Sequence, residues 1–399
     1  MRILALTNLY PNPIQPQRAS FNRHQFRLLA QQHPMRVIAP TLWLDEWNLK
    51  RRKGLRMPAV RQVVNEGMLV DHPRYWYTPK VLRGLYGHFY RESVRAAFAR
   101  AVAEFAPDIV FAPWAYPDGW AATELARSHG LPVVIQVHGS DVRQLDQFAG
   151  RIEGTRRAIR QADGIIAVSA DLGLRVIEMG ADPDRVRVIV DGVDKSSFFP
   201  GERHQAKQLL GLAPGKRHLL FVGNLVEVKG VDVLLRACAS LGGSGGDWQL
   251  HLIGEGPLRG QLARLTDSLG IASRVKFHGS IAHEALPDWF RAADMFVLPS
   301  RSEGVPNVLL EASACHTPYI ASHVGGIPEI AGMGASRLVQ PGQVQELADA
   351  IAQCLLLPPL QPAAGPRDRS DAADDAARFL AETLSGHRQK DNLSHTSAA

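Results

Sequence analysis

Two glutamates in the stretch D-M-F-V-L-P-S-R-S-E-G-V-P-N-V-L-L-E, Glu303 and Glu311, are placed to serve one ligand. Met295 to Leu298 is a short apolar run ending at Pro299, which reads as a buried strand. Ser300 to Asn307 then reads as a loop and Val308 to Cys315 as a helix, with Pro306 where a first helical turn tolerates it. Glu303 therefore falls in the loop at the carboxyl end of a strand, where open α/β sheets bind ligands. Glu311 falls about two turns along, on a side that can face the same ligand. The helix is apolar on nearly every side, so Glu311 has little access to water and needs a partner. Taken singly, each residue has an ordinary reading, Glu303 as a solvated first-turn carboxylate and Glu311 as an exposed helix glutamate. The pair in this setting favours a site.

Two other residues have chemistry and placement. Lys229, in G-N-L-V-E-V-K-G, follows a strand, His218 to Val222, and stands at the start of a helix, Val231 to Leu241. A cation at the positive end of a helix dipole is disfavoured by roughly 0.3–1 kcal/mol. A visiting diphosphate would satisfy both the lysine and the helix amides. The alternative is a flexible stem that carries the charge into water. His138 sits in H-G-S-D at the tip of a strand, Val133 to Val137, with Gly139 allowing a sharp turn. It is a site residue or a structural histidine, and Asp141 either orients its imidazole or caps the next helix.

The elements that must position these residues come in two series. Strands at Arg2 to Asn8, Met35 to Ala39, Ile109 to Phe111, Val133 to Val137 and Gly164 to Ser169 alternate with helices that include Phe21 to Gln31 and Leu172 to Met179. A second series restarts near residue 216, with strands His218 to Val222, Trp248 to Ile253, Val275 to Phe277 and Met295 to Leu298. Helices Leu258 to Leu269 and Val344 to Leu357 accompany it. The pattern predicts an α/β protein of two doubly wound, Rossmann-like domains facing across a cleft, spanning residues 1–195 and 196–357. Residues 358–399 read as a proline-rich linker, a helix from Ala372 to Ser385 that can cross back onto the first domain, and a disordered polar tail. No glycine fingerprint follows the first strand, which disfavours an NAD site.

E-G-V-P-N-V-L-L-E, followed by V-G-G-I-P-E, resembles the paired-glutamate signature of the retaining glycosyltransferases of family 4. The likeness covers almost the whole chain from N-L-Y-P onward and is strongest over residues 180–330. N-L-V-E-V-K-G-V-D is similar to a branch that contains teichuronic-acid and capsule enzymes. The resemblance implies the GT-B architecture, with an acceptor-binding first domain and a donor-binding second one. It implies transfer of a sugar from a nucleoside-diphosphate donor to a glycan or lipid-linked acceptor, with the anomeric configuration kept.

The resemblance also implies roles. Glu303 would position the donor sugar and stabilise its cationic carbon, Glu311 would hold the ribose, Lys229 the diphosphate, and His138 a sugar hydroxyl, completing the site on domain closure. Gly254 in G-E-G-P, Ser280 and Ile281 beside the base, and Gly304, Val305, Asn307 and Val308 between the glutamates would complete the donor site. Ala19 and Ser20 lie in the loop Y-P-N-P-I-Q-P-Q-R-A-S-F, where the family carries a glycine whose amide approaches the donor phosphate; the methyl of Ala19 hinders that approach. Asn224 replaces the arginine that the family pairs with its lysine, with Arg301 or Arg18 as candidate substitutes for the lost charge. Asp191 stands where the family's interdomain segment has asparagine. No cofactor and no metal site is implied, and D182-P-D184 is a chance triplet. No carboxylate is placed as a covalent nucleophile, so the mechanism implied is front-face, the leaving phosphate accepting the acceptor's proton. The rival readings are a nucleotide-sugar epimerase of the same architecture and a nucleotide-sugar-binding protein without turnover.

Composition sets the partners. With 45% apolar and 21% charged residues the chain is an ordinary globular protein. Cys238, Cys315 and Cys354 are widely spaced and read as core residues of a reducing compartment. The opening M-R-I-L-A-L-T is too short for a signal peptide and no run of about 18 apolar residues occurs, so a cytoplasmic location is expected. Net charge is +9 over residues 1–190 and −3 over 191–399, so the first half faces something anionic. No nucleic-acid motif occurs. K-R-R-K-G-L-R-M at 50–57, and Tyr75 to Arg91 with its interleaved aromatic and basic residues, suit either an interfacial helix pair on the inner membrane face or a solvated loop before an amphipathic helix.

Overall fold

A computed structural model of the chain describes residues 1–16, 18–77, 83–143, 149–241, 246–333, 335–356 and 365–396. Residues 358–364 of the expected linker and the last three residues lie outside them, as does Lys80. The chain forms two units, Met1–Val190 with Ser370–Ala399, and Asp191–Arg369.

In the first unit an eight-stranded sheet has Ile3–Leu6 near its middle. From there the chain steps one way through Met35–Ile38 to Met68–Asp71, and the other way through Ile109–Ala112, Val133–Val137, Gly164–Ala167 and Val186–Val188. All these neighbours are parallel; only the edge strand Gln62–Asn65 runs antiparallel to Met68–Asp71. Strands such as Ile3–Leu6 and Val133–Val137 are buried along their whole length, as the inside of a two-sided parallel sheet requires. The direction of winding reverses between Ile3–Leu6 and Ile109–Ala112, and ligands bind doubly wound sheets beyond the carboxyl ends of strands at such a reversal. There the buried Asp118 carboxylate accepts from Thr7 Oγ1 at 2.9 Å and from the Asn8 amide at 3.0 Å, and burial pushes it up to about 7.

The final helix, Arg369–Thr396, packs into the first unit, where Ala376, Phe379, Leu380 and Leu384 share a core with Ile3, Ile166 and Ile189. It crosses back although no aromatic stands at its start; Phe379, about three turns in, is the helix's aromatic in this core. It also runs on through residues expected to be a disordered tail.

The basic run lies largely in the helix Trp43–Lys53, whose last turn holds Lys50, Arg51, Arg52 and Lys53 and ends at Gly54 in the left-handed region. Cations there oppose the negative end of the helix dipole. Among the described residues, the aromatic stripe expected on Tyr75 to Arg91 does not form an interfacial face. Tyr75 and Tyr90 are core residues, Tyr86 packs against Tyr75, Tyr77 and Tyr116, and Trp76 is the exposed exception at 55%.

The second unit carries a six-stranded parallel sheet in the order Val275–Gly279, Trp248–Ile253, Arg217–Val222, Met295–Leu298, Tyr319–Ser322, Ser336–Val339. Its winding reverses between Arg217–Val222 and Met295–Leu298. Cys238 and Cys315 are buried, Cys354 is partly so, and all three are free thiols.

Three histidines from adjacent strands of this sheet form a ladder. His218 Nε2 lies 2.9 Å from the Ala213 carbonyl, His218 Nδ1 lies 3.0 Å from His251 Nε2, and His251 Nδ1 lies 2.9 Å from His278 Nε2. The chain closes when all three rings are neutral and each Nε2–H donates. Burial lowers all three pKa values, with Lys276 and the neighbouring rings adding to it at His251, which falls to about 3. A folded pKa below the unfolded value near 6.5 means that the ladder's stability is present above that pH and is lost as pH falls below it. His251→Gln is therefore expected to cost about 1–3 kcal/mol at pH 7.5. Its melting temperature should fall less than the wild type's between pH 7.5 and 5, as thermal unfolding at the two pH values will show.

Candidate active site

Glu303 and Lys229 come together at the winding reversal of the second unit. Lys229 ends a short turn, Glu227–Lys229, beyond the strand Arg217–Val222, and Glu303 lies in the loop beyond Met295–Leu298. Lys229 Nζ donates to Glu303 Oε1 at 2.6 Å, and Ser300 Oγ donates to the same oxygen at 2.6 Å. The lysine charge is thus not carried away into water but held, partly buried, by the carboxylate.

Two glycines make this approach possible. Gly230, at φ 64°, lies so close to Pro299 that a Cβ would sit 2.1 Å from its carbonyl oxygen. Gly325, at φ 57°, is likewise close to Glu303, with 2.0 Å between a Cβ and that carbonyl. Backbone bonds from Arg301 to the Val228 carbonyl (2.7 Å) and from Gly326 to the Gly304 carbonyl (2.9 Å) fix the loops to one another.

The helix after this loop is Asn307–Ala314, with Pro306 in the capping position. Glu311 is 3% exposed, and its Oε1 lies 2.8 Å from His283 Nε2, the partner that its burial demands. Its other oxygen, Oε2, and the Asn307 Oδ1 one turn earlier are buried acceptors with no donor. Both are open to hydroxyl or amide donors. Val305 and Val308 are half-buried around them and Gly304 is buried. Gly254 donates its amide to the Gly279 carbonyl at 2.8 Å, so the ends of two neighbouring strands meet; beyond them Ser280 is exposed and Ile281 half-buried. Asn224 is exposed beside Gly223.

Neither arginine offered as a replacement for the missing charge is free. Arg301 grips both oxygens of Asp232, at 2.9 and 2.8 Å, and the Glu227 carbonyl; Arg18 pairs with Asp45 in the first unit. Asp182 and Asp184 are likewise accounted for, Asp182 capping the turn that contains Asp184.

In the first unit His138 follows the strand Val133–Val137 and packs against Phe21 and Trp114. Its Nε2 is buried without a partner, and burial lowers its pKa to about 4, so the imidazole is neutral at pH 7. Asp141 neither orients this ring nor caps a following helix from outside. It lies within the short helix Ser140–Arg143 and binds the loop, accepting from the amides of His138, Gly139 and Ala115 at 3.1, 2.8 and 3.2 Å. Ala19 has φ 45°, the left-handed region that glycine adopts freely, immediately before the helix Ser20–Gln32. Asp191 is pushed up to about 6 by burial, against Arg369, which brings its carboxyl closer to the neutral amide of the expected asparagine.

Residues 26–197 match the model of glycosyltransferase family 4, and residues 216–356 match that of glycosyl transferases group 1. "Putative teichuronic acid biosynthesis glycosyltransferase TuaC" of Bacillus subtilis (strain 168) is 30% identical over 361 residues, covering 88% of this chain and 89% of that protein. The chain belongs to the family 4 glycosyltransferases. A D-inositol 3-phosphate glycosyltransferase of Mycobacterium bovis (strain BCG / Pasteur 1173P2) is 36% identical over 277 residues, 67% of this chain and 55% of that protein. The crystal structure of Anabaena Alr3699/HepE in complex with UDP-glucose superposes with a TM-score of 0.66 at 20% identity, covering 100% of both chains. The two doubly wound units of this glycosyltransferase are of the GT-B type.

Sequence reasoning missed Ser300 and His283. Ser300 was within reach, as the first hydroxyl past the strand end. His283 carried no local signal, since it meets Glu311 across 28 residues of chain. Its hydrogen bond to Glu311 raises the His283 pKa above 6.5 against the opposing effect of burial. A raised folded pKa gives stability that is complete below about 6.5 and lost as pH rises through the folded value. His283→Ala is expected to cost about 1–3 kcal/mol at pH 6 and less at pH 9, measured by denaturant unfolding at each pH.

Proposed function

We propose that this glycosyltransferase moves a sugar from a nucleoside-diphosphate donor to a lipid-linked glycan acceptor in envelope or extracellular polysaccharide assembly, with retention of configuration. The observation that carries the reading is the Lys229–Glu303–Ser300 cluster beside two orphaned acceptors, Asn307 Oδ1 and Glu311 Oε2. Ribose hydroxyls are donors of the kind that the two orphans lack. The UDP-glucose held by the Anabaena protein in its crystal structure supports a donor of this class.

Cleaving a sugar–phosphate bond builds negative charge on the diphosphate and positive charge on the anomeric carbon. Lys229 and the amides of the helix Val231–Ser240 meet the first, in place of a metal ion. The diphosphate competes with Glu303 for Lys229, and the carboxylate so released orients the sugar hydroxyls and faces the cationic carbon. His138, neutral, hydrogen-bonds a sugar hydroxyl. Gly254, Ser280 and Ile281 line the base, Asn224 lies at the diphosphate, and the Ala19–Ser20 amides approach its phosphate. The leaving phosphate takes the acceptor's proton, so no glycosyl-enzyme forms.

The first unit, residues 1–195 in this reading, takes the acceptor, and residues 196–357 take the donor. The charge of +9 over residues 1–190 supports a cytoplasmic chain that works peripherally at an anionic inner membrane face. Among the described residues no helix is long and apolar enough to cross a membrane.

Glu303→Gln should keep the fold and lose roughly a hundredfold or more in turnover, the scale of one preorganised charge contact; unchanged donor-sugar release with acceptor present would remove the assignment. Calorimetric titration with UDP, GDP and ADP and their nucleosides should show Lys229→Ala weakening the diphosphate more than the nucleoside. Equal weakening would make the lysine structural.

A further inference from the structure

A cavity of about 360 Å³ in the first unit is not used by this chemistry. It is built where Thr41–Leu42 and Arg74–Tyr75 pair as a short parallel sheet. Those segments directly follow the strands Met35–Ile38 and Met68–Asp71, so the cavity lies beyond their carboxyl ends, the ligand-binding edge of a doubly wound sheet.

Its lining combines three indoles, Trp43, Trp47 and Trp76, with four cations and one carboxylate. The carboxylate is Glu46, 8% exposed, and it is saturated. Arg61 grips both its oxygens at 2.7 and 2.9 Å, Arg74 donates to one of them at 3.0 and 2.8 Å, and Thr41 Oγ1 donates to the other. Burial alone would raise the Glu46 pKa, but these donors hold it down to about 2, so the counter-charge persists across physiological pH. One carboxylate cannot neutralise two guanidiniums. Lys50 and Arg56, also in the lining, are exposed and make no ion pair among the described residues. Trp43 stacks on Trp76 with ring centres 5.5 Å apart, and the Arg74 guanidinium lies 5.8 Å from the Trp76 ring.

We infer that this cavity is an acceptor subsite for an anionic pyranose ring, a uronate or a phosphorylated sugar. The inference rests on the glycosyltransferase reading and adds the charge class of the acceptor. Flat indoles offer apolar faces to the C–H side of a sugar ring; Arg61 and Arg74 spend their forks on Glu46 and leave a net positive charge, and the fork of Arg56 with the Lys50 ammonium is open to a carboxylate or phosphate. The two arginines are fixed by Glu46 before any ligand arrives, which lowers the entropy lost on binding. Trp47 and Trp76 are exposed at 49% and 55%, but they line a recess whose guanidiniums are immobilised on Glu46, a shape that fits a compact ring and not the flat plane of a membrane.

The test uses the full chain labelled with fluorotryptophan, with signals of the seven tryptophans assigned by single Trp→Phe changes and followed by fluorine NMR. Methyl glucuronide should move the signals of Trp43, Trp47 and Trp76 saturably, and uncharged methyl glucoside should bind roughly tenfold more weakly, as the loss of one charged contact implies. Lys50→Glu with Arg56→Glu, both exposed and without an ion pair among the described residues, should weaken the glucuronide by about tenfold, with thermal unfolding used to confirm that the fold is kept. Equal response to the two glycosides, indifference to the double change, or response only to phosphatidylglycerol vesicles would overturn the inference, the last making the patch a membrane contact. Nucleotide calorimetry on the same sample separates the two levels. Glucuronide binding without nucleotide binding would sink the donor site and keep the cavity, and the reverse would sink the cavity alone.

Discussion

The ion pair between Lys229 and Glu303 exists because two backbone loops touch. A lysine beyond one strand and a glutamate beyond its neighbour reach each other only if nothing larger than hydrogen stands at Gly230 and Gly325, where a Cβ would overlap carbonyl oxygens of Pro299 and Glu303. The strands beneath give this contact its rigidity. Arg217–Val222 and Met295–Leu298 pair directly in the buried centre of the sheet, and their side chains have no room to shift. The winding reverses between these two strands, so their carboxyl ends open a crevice that no crossover helix fills.

The same arrangement explains why the site can hold unsatisfied atoms. Glu311 Oε2 and Asn307 Oδ1 are costly to bury without donors, by roughly 1–3 kcal/mol each on the usual scale. A helix packed as tightly as Asn307–Ala314, whose own Leu309, Leu310 and Ala312 are buried, can sustain that cost. Half of Glu311 is satisfied by His283, which fixes the carboxylate's direction and leaves the other oxygen for a ligand. His138 in the first unit follows the same logic: it is kept neutral by burial and leaves one ring nitrogen without a partner.

Charge in the first unit is likewise organised by burial more than by count. Several of its arginines are held by acids, Arg36 by Asp71 and Glu104, Arg61 and Arg74 by Glu46, and Arg18 by Asp45. Lys50 and Arg56, at the tryptophan-lined recess, have no such partner among the described residues. The sequence count of +9 pointed to an anionic partner, but only the fold distinguishes the arginines already held by carboxylates from the lysine and arginine at 50 and 56 that are not.

The sequence by itself determined the elements and the chemistry within one stretch. Met295–Leu298, Val133–Val137 and Trp248–Ile253 are visible as strands because parallel sheets buried on both faces demand unbroken apolar runs. The two glutamates are visible because a loop that leaves a strand end and the helix directly after it keep their carboxylates close in sequence. Tertiary structure alone decided which groups meet. His283 and Glu311, Lys229 and Glu303, and Arg61, Arg74 and Glu46 are each joined across turns and crossovers that leave no periodic trace. It also turned most of the aromatic stripe of Tyr75 to Tyr90 inward, because a helix face is named by its neighbours and not by its own residues. A local pattern records the period of an element, whereas a contact between distant residues depends on the order of strands in a sheet, which no single stretch encodes.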